Sequence, residues 1–237
     1  AALELLGIPY TGSGPLASGL AMDKILSKRI FEQASIPTPK WFPWEWPQPP
    51  VAGQVPQSSG LDYPIVVKPS AEGSTVGVTI AKDESELAEG IKNARSRGRR
   101  ILFEEYIEGR EMTSAVLAGE KLPPVEIKPR DGFYDYEHKY TSGASEYVAP
   151  AEIPDSLAER FTDVAHRVFA VMGLRHYARV DFRLRGEEIY CLEINSLPGM
   201  TSLSLVPMAA AAAGIDFPEL VSRIVMMAAK PDLFETP

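Results

Sequence analysis

The sequence predicts an α+β fold built on antiparallel strands, because short strand patterns alternate with helical patterns and neighbouring strands are joined by tight turns. In the first half of the chain, strands are expected at residues 64–68, 78–81 and 100–104. A helix opened by Asp83 and running to about residue 96 is expected between the last two. These segments predict a compact α+β unit from about Ile8 to Glu104.

The second half of the chain predicts hairpins followed by helices. Period-two alternation gives two hairpins, with strands at 111–117 and 122–128 and at 177–184 and 188–194. Helical periodicity gives helices at 153–172, 204–213 and 217–228. Residues 129–146 form a long loop with several aromatic residues, and a loop of that length is usually functional or disordered.

The segment before the first strand predicts one helix and an irregular stretch. Apolar residues recur at helical spacing over residues 21–34. Lys24 and Lys28 share a face of this helix and are expected in solvent, as paired lysines on a helix usually are. Residues 40–60 are rich in proline, which lacks a backbone N–H, so we expect no regular structure there.

Composition and charge exclude several classes of function. The net charge of −8 argues against a protein that binds the phosphate backbone of nucleic acids. No apolar run approaches the roughly 20 residues that a membrane span needs. The single cysteine, Cys191, excludes an internal disulfide and fits a reducing compartment. We therefore expect a cytoplasmic protein that binds neither nucleic acid nor membrane.

The hairpin at 177–194 presents two polar faces, because side chains alternate along a strand. The expected faces carry Arg179, Asp181 and Arg183 on the first strand, and Cys191, Glu193 and Asn195 on the second.

A metal site is one interpretation of this hairpin. A three-residue turn at 185–187 pairs odd positions with odd positions and brings Asp181 beside Glu193 and Asn195. Three oxygen ligands of this kind suit Mg²⁺ when phosphates complete its coordination. An ordinary polar outer face is the alternative that the carboxylates alone leave open.

Lys68 leads into a loop that has the composition of a phosphate-binding turn. Gly73, Ser74, Thr75 and Gly77 follow within ten residues, so backbone N–H groups can approach phosphate oxygens. A lysine at the mouth of such a loop supplies a point charge for an anion. A plain glycine and serine turn remains the alternative for the loop by itself.

The order of these motifs resembles the D-alanine–D-alanine ligases of the ATP-grasp superfamily. The resemblance runs from about Leu3 to Met227. Its pieces are Lys24, Lys68, the loop at 72–77, Glu104-x-x-Ile107-x-x-x-Glu111, Lys139-Tyr140, Arg179-x-Asp181 and Glu193-x-Asn195-x-x-Pro198-Gly199. Each piece is weak alone, but the ordered set is specific.

The resemblance implies a fold in which two α+β lobes with antiparallel sheets clasp ATP. The lobes are expected at 21–106 and 107–237, after a connecting remnant at 1–20. The implied cofactors are ATP and two Mg²⁺ or Mn²⁺ ions, held by Asp181, Glu193 and Asn195. The implied nucleotide contacts are Lys24, Lys68, Glu72, Ser74, Thr75, Glu104, Glu105, Ile107, Glu111, Phe133 and Lys139.

The activity that the resemblance implies is ligation of two D-alanines for peptidoglycan precursor synthesis. ATP phosphorylates the carboxylate of the first D-alanine, and the amine of the second attacks the resulting acyl phosphate. Arg179 and Gly199 are implied to stabilise the oxyanion, and Ser204 and Leu205 to hold the second D-alanine's carboxylate.

Two further residues are implied to lie at the substrate pocket. Ser74 and Tyr140 would link the closing loop to this pocket. Family members that prefer D-lactate lack the Lys-Tyr pair, so Tyr140 favours D-alanine as the second substrate.

One part of the family pattern has no match in this chain. The family has an N-terminal domain with a Gly-rich segment and a glutamate that binds the first D-alanine. We therefore expect such a domain to precede this chain in a parent protein, which the resemblance implies is a homodimer, and assign the activity to that parent. The alternatives are a related ligase using D-lactate or D-serine and a nucleotide-binding fragment without catalysis.

Overall fold

The computed structural model describes residues 1–45, 51–118, 120–129 and 145–229, and two antiparallel sheets within them confirm the predicted α+β class. The strands are β1 (Trp41–Glu45), β2 (Ile65–Pro69), β3 (Thr79–Ala81), β4 (Arg100–Glu105), β5 (Arg110–Leu117), β6 (Glu120–Lys121), β7 (Val125–Pro129), β8 (Ser145–Val148), β9 (Tyr177–Arg185) and β10 (Glu188–Asn195). The helices are α1 (Ala2–Leu5), α2 (Pro15–Met22), α3 (Lys24–Gln33), α4 (Val55–Ser59), α5 (Glu84–Arg97), α6 (Asp155–Val171), α7 (Leu205–Ala212) and α8 (Phe217–Ala229).

The first sheet has the strand order β1-β4-β2-β3 and is covered by α5. Leu87, Ile91 and Ala94 recur on one face of α5 and pack on Ile65 and Phe103 of the sheet. The helix begins where Asp83 accepts a hydrogen bond from the Glu86 N–H at 2.9 Å, as the sequence predicts. This lobe therefore forms around one amphipathic helix.

The predicted helix at 21–34 is interrupted at Asp23. This residue has extended backbone angles, and its Oδ1 accepts hydrogen bonds from the N–H groups of Ile25 and Leu26, both at 3.1 Å. An aspartate that caps one helix ends the preceding one, so α2 and α3 replace a single helix.

The prediction of irregular structure at 40–60 is wrong for the part that the structure describes. Trp41–Glu45 forms β1 and pairs with β4, with Pro43 opposite Leu102. Because β1 is at the edge of its sheet, a proline without an N–H is tolerated there. Residues 52–54 form a short 3₁₀ helix, and α4 follows.

The second sheet has the order β10-β9-β5-β7-β8, with β6 paired to β5, and its faces have different surroundings. One face packs on α2, α3 and α6, where Phe161 meets Phe182 edge to face at a centroid distance of 5.3 Å. The other face is covered at one end by α7 and α8, through residues such as Leu117 and Tyr177. The uncovered part of that face lies towards the first sheet.

Helices α2 and α3 belong to the core of the second sheet, because Ala21, Phe31 and Ile36 pack in that cluster. The predicted boundary at 106 falls between β4 and β5, and the division of the chain into three parts stays a prediction. Within the described ranges, no single helix is long and apolar enough to span a membrane; α7 and α8 pass on length and composition only as a pair bent by 108°.

Candidate active site

A cleft of about 470 Å³ separates the two sheets. Every predicted site residue that the structure describes lines this cleft, namely Lys24, Lys68, Glu72, Ser74, Thr75, Glu104, Glu105, Ile107, Glu111, Arg179, Asp181, Glu193, Asn195, Gly199, Ser204 and Leu205. Phe133, Lys139 and Tyr140 lie outside the described residues. Residues distant in sequence thus converge on one concave surface of the size that ligand sites have.

Lys24, at the start of α3, connects the loop over the cleft to the second sheet. Its Nζ donates to the Glu72 carbonyl at 2.6 Å and lies 3.1 Å from Glu193 Oε2. In the same loop, Ser74 and Thr75 have positive φ of 53° and 63°, which is uncommon for residues other than glycine. The loop therefore has a strained backbone that is held near the Lys24 ammonium group. Strained backbone of this kind is concentrated at functional sites.

A buried cluster of charges lies at the inner end of the cleft, and it corrects one prediction. Lys28, expected in solvent, is fully buried and forms an ion pair with Glu104, which also pairs with Lys68. Burial raises the pKa of the Glu104 carboxyl, but the two lysines outweigh this effect and lower it overall. Burial also lowers the pKa of Lys28, against the opposing effect of Glu104. Helical spacing alone could not reveal this cluster, because Glu104 comes from a different element.

The β9–β10 turn also differs from the prediction, although the predicted pairing is present. Arg185 pairs with Glu188, so the turn has two residues and not three. Cys191 is then opposite Phe182, but the register shifts beyond it and Glu193 is opposite Asp181. A β-bulge at Leu192 thus restores the pairing of odd with odd positions that the longer turn was expected to give, although that turn would have placed Cys191 directly opposite Asp181.

This bulge corrects the predicted faces of β10. Cys191 is fully buried in the core and does not share a face with Glu193, which lines the cleft. The spacing of the buried residues Ile189, Cys191 and Ile194 changes from two to three, and this is the sequence signal for the bulge. On β9 the prediction is confirmed, since Arg179, Asp181 and Arg183 alternate with buried residues.

Asp181 is held by hydrogen bonds from two sides. Arg179 donates to its two carboxylate oxygens through Nε and Nη2, both at 2.8 Å. Thr113 Oγ1 of the neighbouring strand donates to Asp181 Oδ1 at 2.7 Å. Nothing in the sequence pointed to Thr113, because sheet pairing alone brings Asp181 beside it. Further along, Arg183 Nη2 lies 3.2 Å from Glu111 Oε2.

The donors Asp181, Glu193 and Asn195 fit a hard divalent cation that shares its coordination with phosphates. They supply two carboxylates and an amide, and both carboxylates already contact cationic side chains. In the part of the chain that the structure describes, no group of three or more His, Cys, Asp or Glu side chains could hold a metal ion.

The turn after β10 places a glycine beside the start of α7. Ser204 Oγ accepts a hydrogen bond from the Thr201 N–H at 2.9 Å and makes no capping bond to the first turn of α7. A Cβ at Gly199 would lie 3.1 Å from this Oγ, so the backbone approaches Ser204 closely. N–H groups at such a helix start favour an anion.

Comparison with known proteins identifies the family. The family described as "D-ala D-ala ligase C-terminus" matches residues 30–226. The chain belongs to the D-alanine–D-alanine ligase family. The D-alanine–D-alanine ligase of Syntrophotalea carbinolica is 47% identical over 223 residues, which cover 94% of this chain and 71% of the relative. That of Moorella thermoacetica is 44% identical over 236 residues, covering 97% and 76%.

Solved structures of D-alanine–D-alanine ligases have the same fold. The enzyme from Bacillus anthracis superposes with a TM-score of 0.86 at 34% identity, covering 97% of this chain and 74% of that one. A structure of the same enzyme complexed with ATP superposes with a TM-score of 0.82 at 33% identity. The predicted family and the ATP-grasp fold are confirmed.

Proposed function

We propose that this chain forms the ATP-binding and acceptor-binding part of a D-alanine–D-alanine ligase, which forms a carbon–nitrogen bond and releases ADP and phosphate. The observation that carries the proposal is the convergence of the predicted residues on one cleft between the two sheets. Family membership indicates which reaction is catalysed, and the cleft contains lysine, arginine and carboxylate side chains suited to that reaction. The product is the dipeptide used in peptidoglycan precursors.

The phosphates of ATP bind at the end of the cleft that carries Lys24 and Lys68. The hydrogen bond from Lys24 to the Glu72 carbonyl supports this placement, because it brings the lysine and the loop close enough to bind the same phosphate. The adenine lies along residues 104–107 and the ribose near Glu111. Glu104 is buried and held by its lysines, so its carboxylate is fixed before a ligand arrives.

Asp181, Glu193 and Asn195, together with the phosphates, would hold two Mg²⁺ ions, or Mn²⁺ in their place. Such ions would supply neutralisation of charge on the transferred phosphoryl group. The register supports this assignment, since Glu193 is opposite Asp181 on adjacent strands. Lys24 Nζ, 3.1 Å from Glu193 Oε2, holds that carboxylate at the cleft.

The chain's own groups then serve the two chemical steps. The γ-phosphoryl group moves to a carboxylate oxygen of the first D-alanine, and ADP leaves. The amine of the second D-alanine attacks the acyl carbon, and phosphate departs with the bonding electron pair and takes up the proton that the amine loses. The Arg179 guanidinium and the Gly199 N–H stabilise the oxyanion of the tetrahedral intermediate, which exists between attack of the amine and departure of phosphate.

The same surface orients the acceptor. Ser204 and the Leu205 N–H bind the carboxylate of the second D-alanine at the start of α7. Two hydrogen bonds from Arg179 to the Asp181 carboxylate fix the direction of the guanidinium group, so this donor is pre-organised. We assign Ser74 and Tyr140 to the connection between the closing loop and the pocket, and Phe133 and Lys139 to the nucleotide. Of these four, Phe133, Lys139 and Tyr140 lie outside the described ranges.

The protein acts on D-alanine and ATP in the cytoplasm and functions as a homodimer. Family membership supports the substrates, and the apolar and charge composition supports the compartment.

The first test is calorimetric titration of this chain with ATP, with and without Mg²⁺. We expect saturable binding that Mg²⁺ strengthens. Phosphate release is then measured with D-alanine, D-lactate and D-serine, using this chain and a form extended by the N-terminal region of the Syntrophotalea carbinolica relative. Release with D-alanine by the extended form supports the ligase. Tight ATP binding without turnover in either form would leave only a nucleotide-binding module.

A further inference from the structure

The bulge in β10 decides where Glu193 points. Without an extra residue at Leu192, the register at Cys191 would continue and Glu193 would oppose Val180, which is buried in the core. A one-residue shift moves every later side chain to the other face of the sheet. The side chain of Ile194 would then replace that of Glu193 at the cleft. The proposed metal site therefore depends on this local irregularity.

The backbone of Cys191, next to the bulge, is held from outside the sheet. Its carbonyl accepts a hydrogen bond from Thr38 Oγ1 at 2.7 Å and one from Lys28 Nζ at 3.4 Å. Its N–H donates to the Pro37 carbonyl at 2.8 Å. Lys28 and Thr38 are also hydrogen-bonded to each other. We call Lys28 and Thr38, with their shared acceptor, the carbonyl clamp.

We propose that the carbonyl clamp positions Glu193 by holding the bulge in β10, and that Thr38 is a positioning residue for the divalent cation site. This inference rests on the proposed function. A buried carbonyl needs a donor, and β10 is the edge strand of its sheet, so a carbonyl that points away from β9 finds no donor in the ladder. The clamp supplies donors at that point. Neither Thr38 nor Lys28 lines the cleft, so neither side chain contacts a ligand there directly.

Thr38 separates this role from the other role of Lys28. The Lys28 ammonium also pairs with Glu104, so a Lys28 variant alters the adenine end of the cleft as well. The Thr38 hydroxyl contacts Lys28 and the Cys191 carbonyl, both within the clamp. Thr38→Val removes the hydroxyl at nearly constant shape, and Thr38→Ser keeps it, which makes the two variants a matched pair.

The test is titration of the wild-type chain and both variants with ADP, with and without Mg²⁺. We expect Thr38→Val to reduce the strengthening of ADP binding by Mg²⁺ about 10-fold, the lower end of what loss of an outer-shell partner costs a metal site. ADP affinity without Mg²⁺ should be retained, and Thr38→Ser should behave like the wild type. A loss of affinity that is equal with and without Mg²⁺ would overturn the inference, because it indicates general damage to the fold.

A double-variant cycle with Glu193→Gln shows whether Thr38 acts through that carboxylate. Once Glu193 is replaced, Thr38→Val should cost little more in Mg²⁺ response, since interacting sites are not additive. Additive losses would overturn the inference.

The thiol of Cys191 gives a readout that needs no ligand. It is the single cysteine of the chain and is fully buried, so its reaction with a disulfide reagent reports opening of β10 near the bulge. Thr38→Val should react faster than Thr38→Ser, and equal rates would overturn the inference. If the wild-type chain binds no ADP, the proposed function fails for this chain, while the thiol rates still decide whether the clamp holds the bulge.

Discussion

Replacing Glu104 by glutamine should destabilise the protein far more than replacing Lys28 by methionine, although each change removes one member of the same ion pair. Glu104 lies between Lys28 and Lys68, and the three side chains are 1%, 0% and 10% exposed. Glu104→Gln leaves two buried ammonium groups facing a neutral amide. Lys28→Met leaves Glu104 with Lys68, which is a balanced pair.

The magnitudes follow from this difference in residual charge. Breaking a buried pair so that a charge is left uncompensated costs about 3–5 kcal/mol. Lys28→Met leaves no net charge in the cluster but removes the hydrogen bonds to Thr38 and to the Cys191 carbonyl, so a loss of about 1–2 kcal/mol is expected. The variants should therefore differ by about 2 kcal/mol in free energy of unfolding, roughly 4–8 °C in Tm for a chain of this length.

The pH dependence provides a second and independent check. Burial lowers the pKa of Lys28 from its ordinary 10.5, and Glu104 opposes that shift. In Glu104→Gln the opposition is lost, so the folded state releases the Lys28 proton more readily than the unfolded chain does. Stability of this variant should therefore rise with pH, by up to about 1.4 kcal/mol per pH unit between the folded pKa and 10.5. The double variant with Lys28→Met should lose this rise.

The acid side has the opposite sign. The two lysines lower the pKa of Glu104 below its ordinary 4.5 despite burial. Its contribution to wild-type stability is therefore complete above about pH 4.5 and is lost as the pH falls through the folded pKa. Glu104→Gln should lack this part of the acid sensitivity.

Urea denaturation of the wild type, both single variants and the double variant, without nucleotide and at several pH values, measures these quantities. Comparable losses for Glu104→Gln and Lys28→Met at neutral pH would refute the charge argument. A flat pH dependence for Glu104→Gln would show that Lys28 is not the group that carries the uncompensated charge.

Three further predictions concern a turn, a cap and a ligand. Gly109 has a φ of +146°, and an added Cβ would lie 2.1 Å from the Leu184 carbonyl oxygen, so Gly109→Ala should cost about 3 kcal/mol by urea denaturation. The control Gly186→Ala, at φ +61° with open space around it, should cost only about 1 kcal/mol, and equal costs would contradict the steric argument. Asp23→Ala should cost about 1–2 kcal/mol by the same assay, because Asp23 caps α3, whereas Asp23→Asn keeps the acceptor and should cost less. Glu193→Gln should weaken the Mg²⁺-dependent part of ADP binding about 10-fold or more while leaving Tm nearly unchanged, and an unaltered Mg²⁺ response would remove Glu193 from the metal site.

The local elements were largely predictable from the sequence. Most strands and helices that the structure describes lie close to the predicted segments, and Asp83 caps α5 as expected; the exceptions include α2, α4, β1 and β8. Such features depend on periodicity and on side chains within a few residues of one another. The convergence of the predicted residues on one cleft was also predictable, because the order of the motifs along the chain can be recognised without knowing the distances between them in space.

Predictions that depended on distant partners were less successful. Lys28 was expected in solvent because its helix position suggested nothing else, yet Glu104 and the Cys191 carbonyl surround its ammonium group. Residues 40–60 were expected to be irregular because they are rich in proline, but the edge position of β1 next to β4 accepts Pro43. In both cases the deciding group comes from another element.

The hairpin that carries Asp181 and Glu193 shows where the division lies. The sequence by itself determined that two strands present oxygen ligands, since composition and alternation are local properties of the chain. Only the tertiary structure decided that these ligands meet, because a two-residue turn would have misaligned them and the bulge at Leu192 restores the register. That bulge is held by Thr38 and Lys28 against the Cys191 carbonyl, and hydrogen bonds between distant segments form only when the chain has folded.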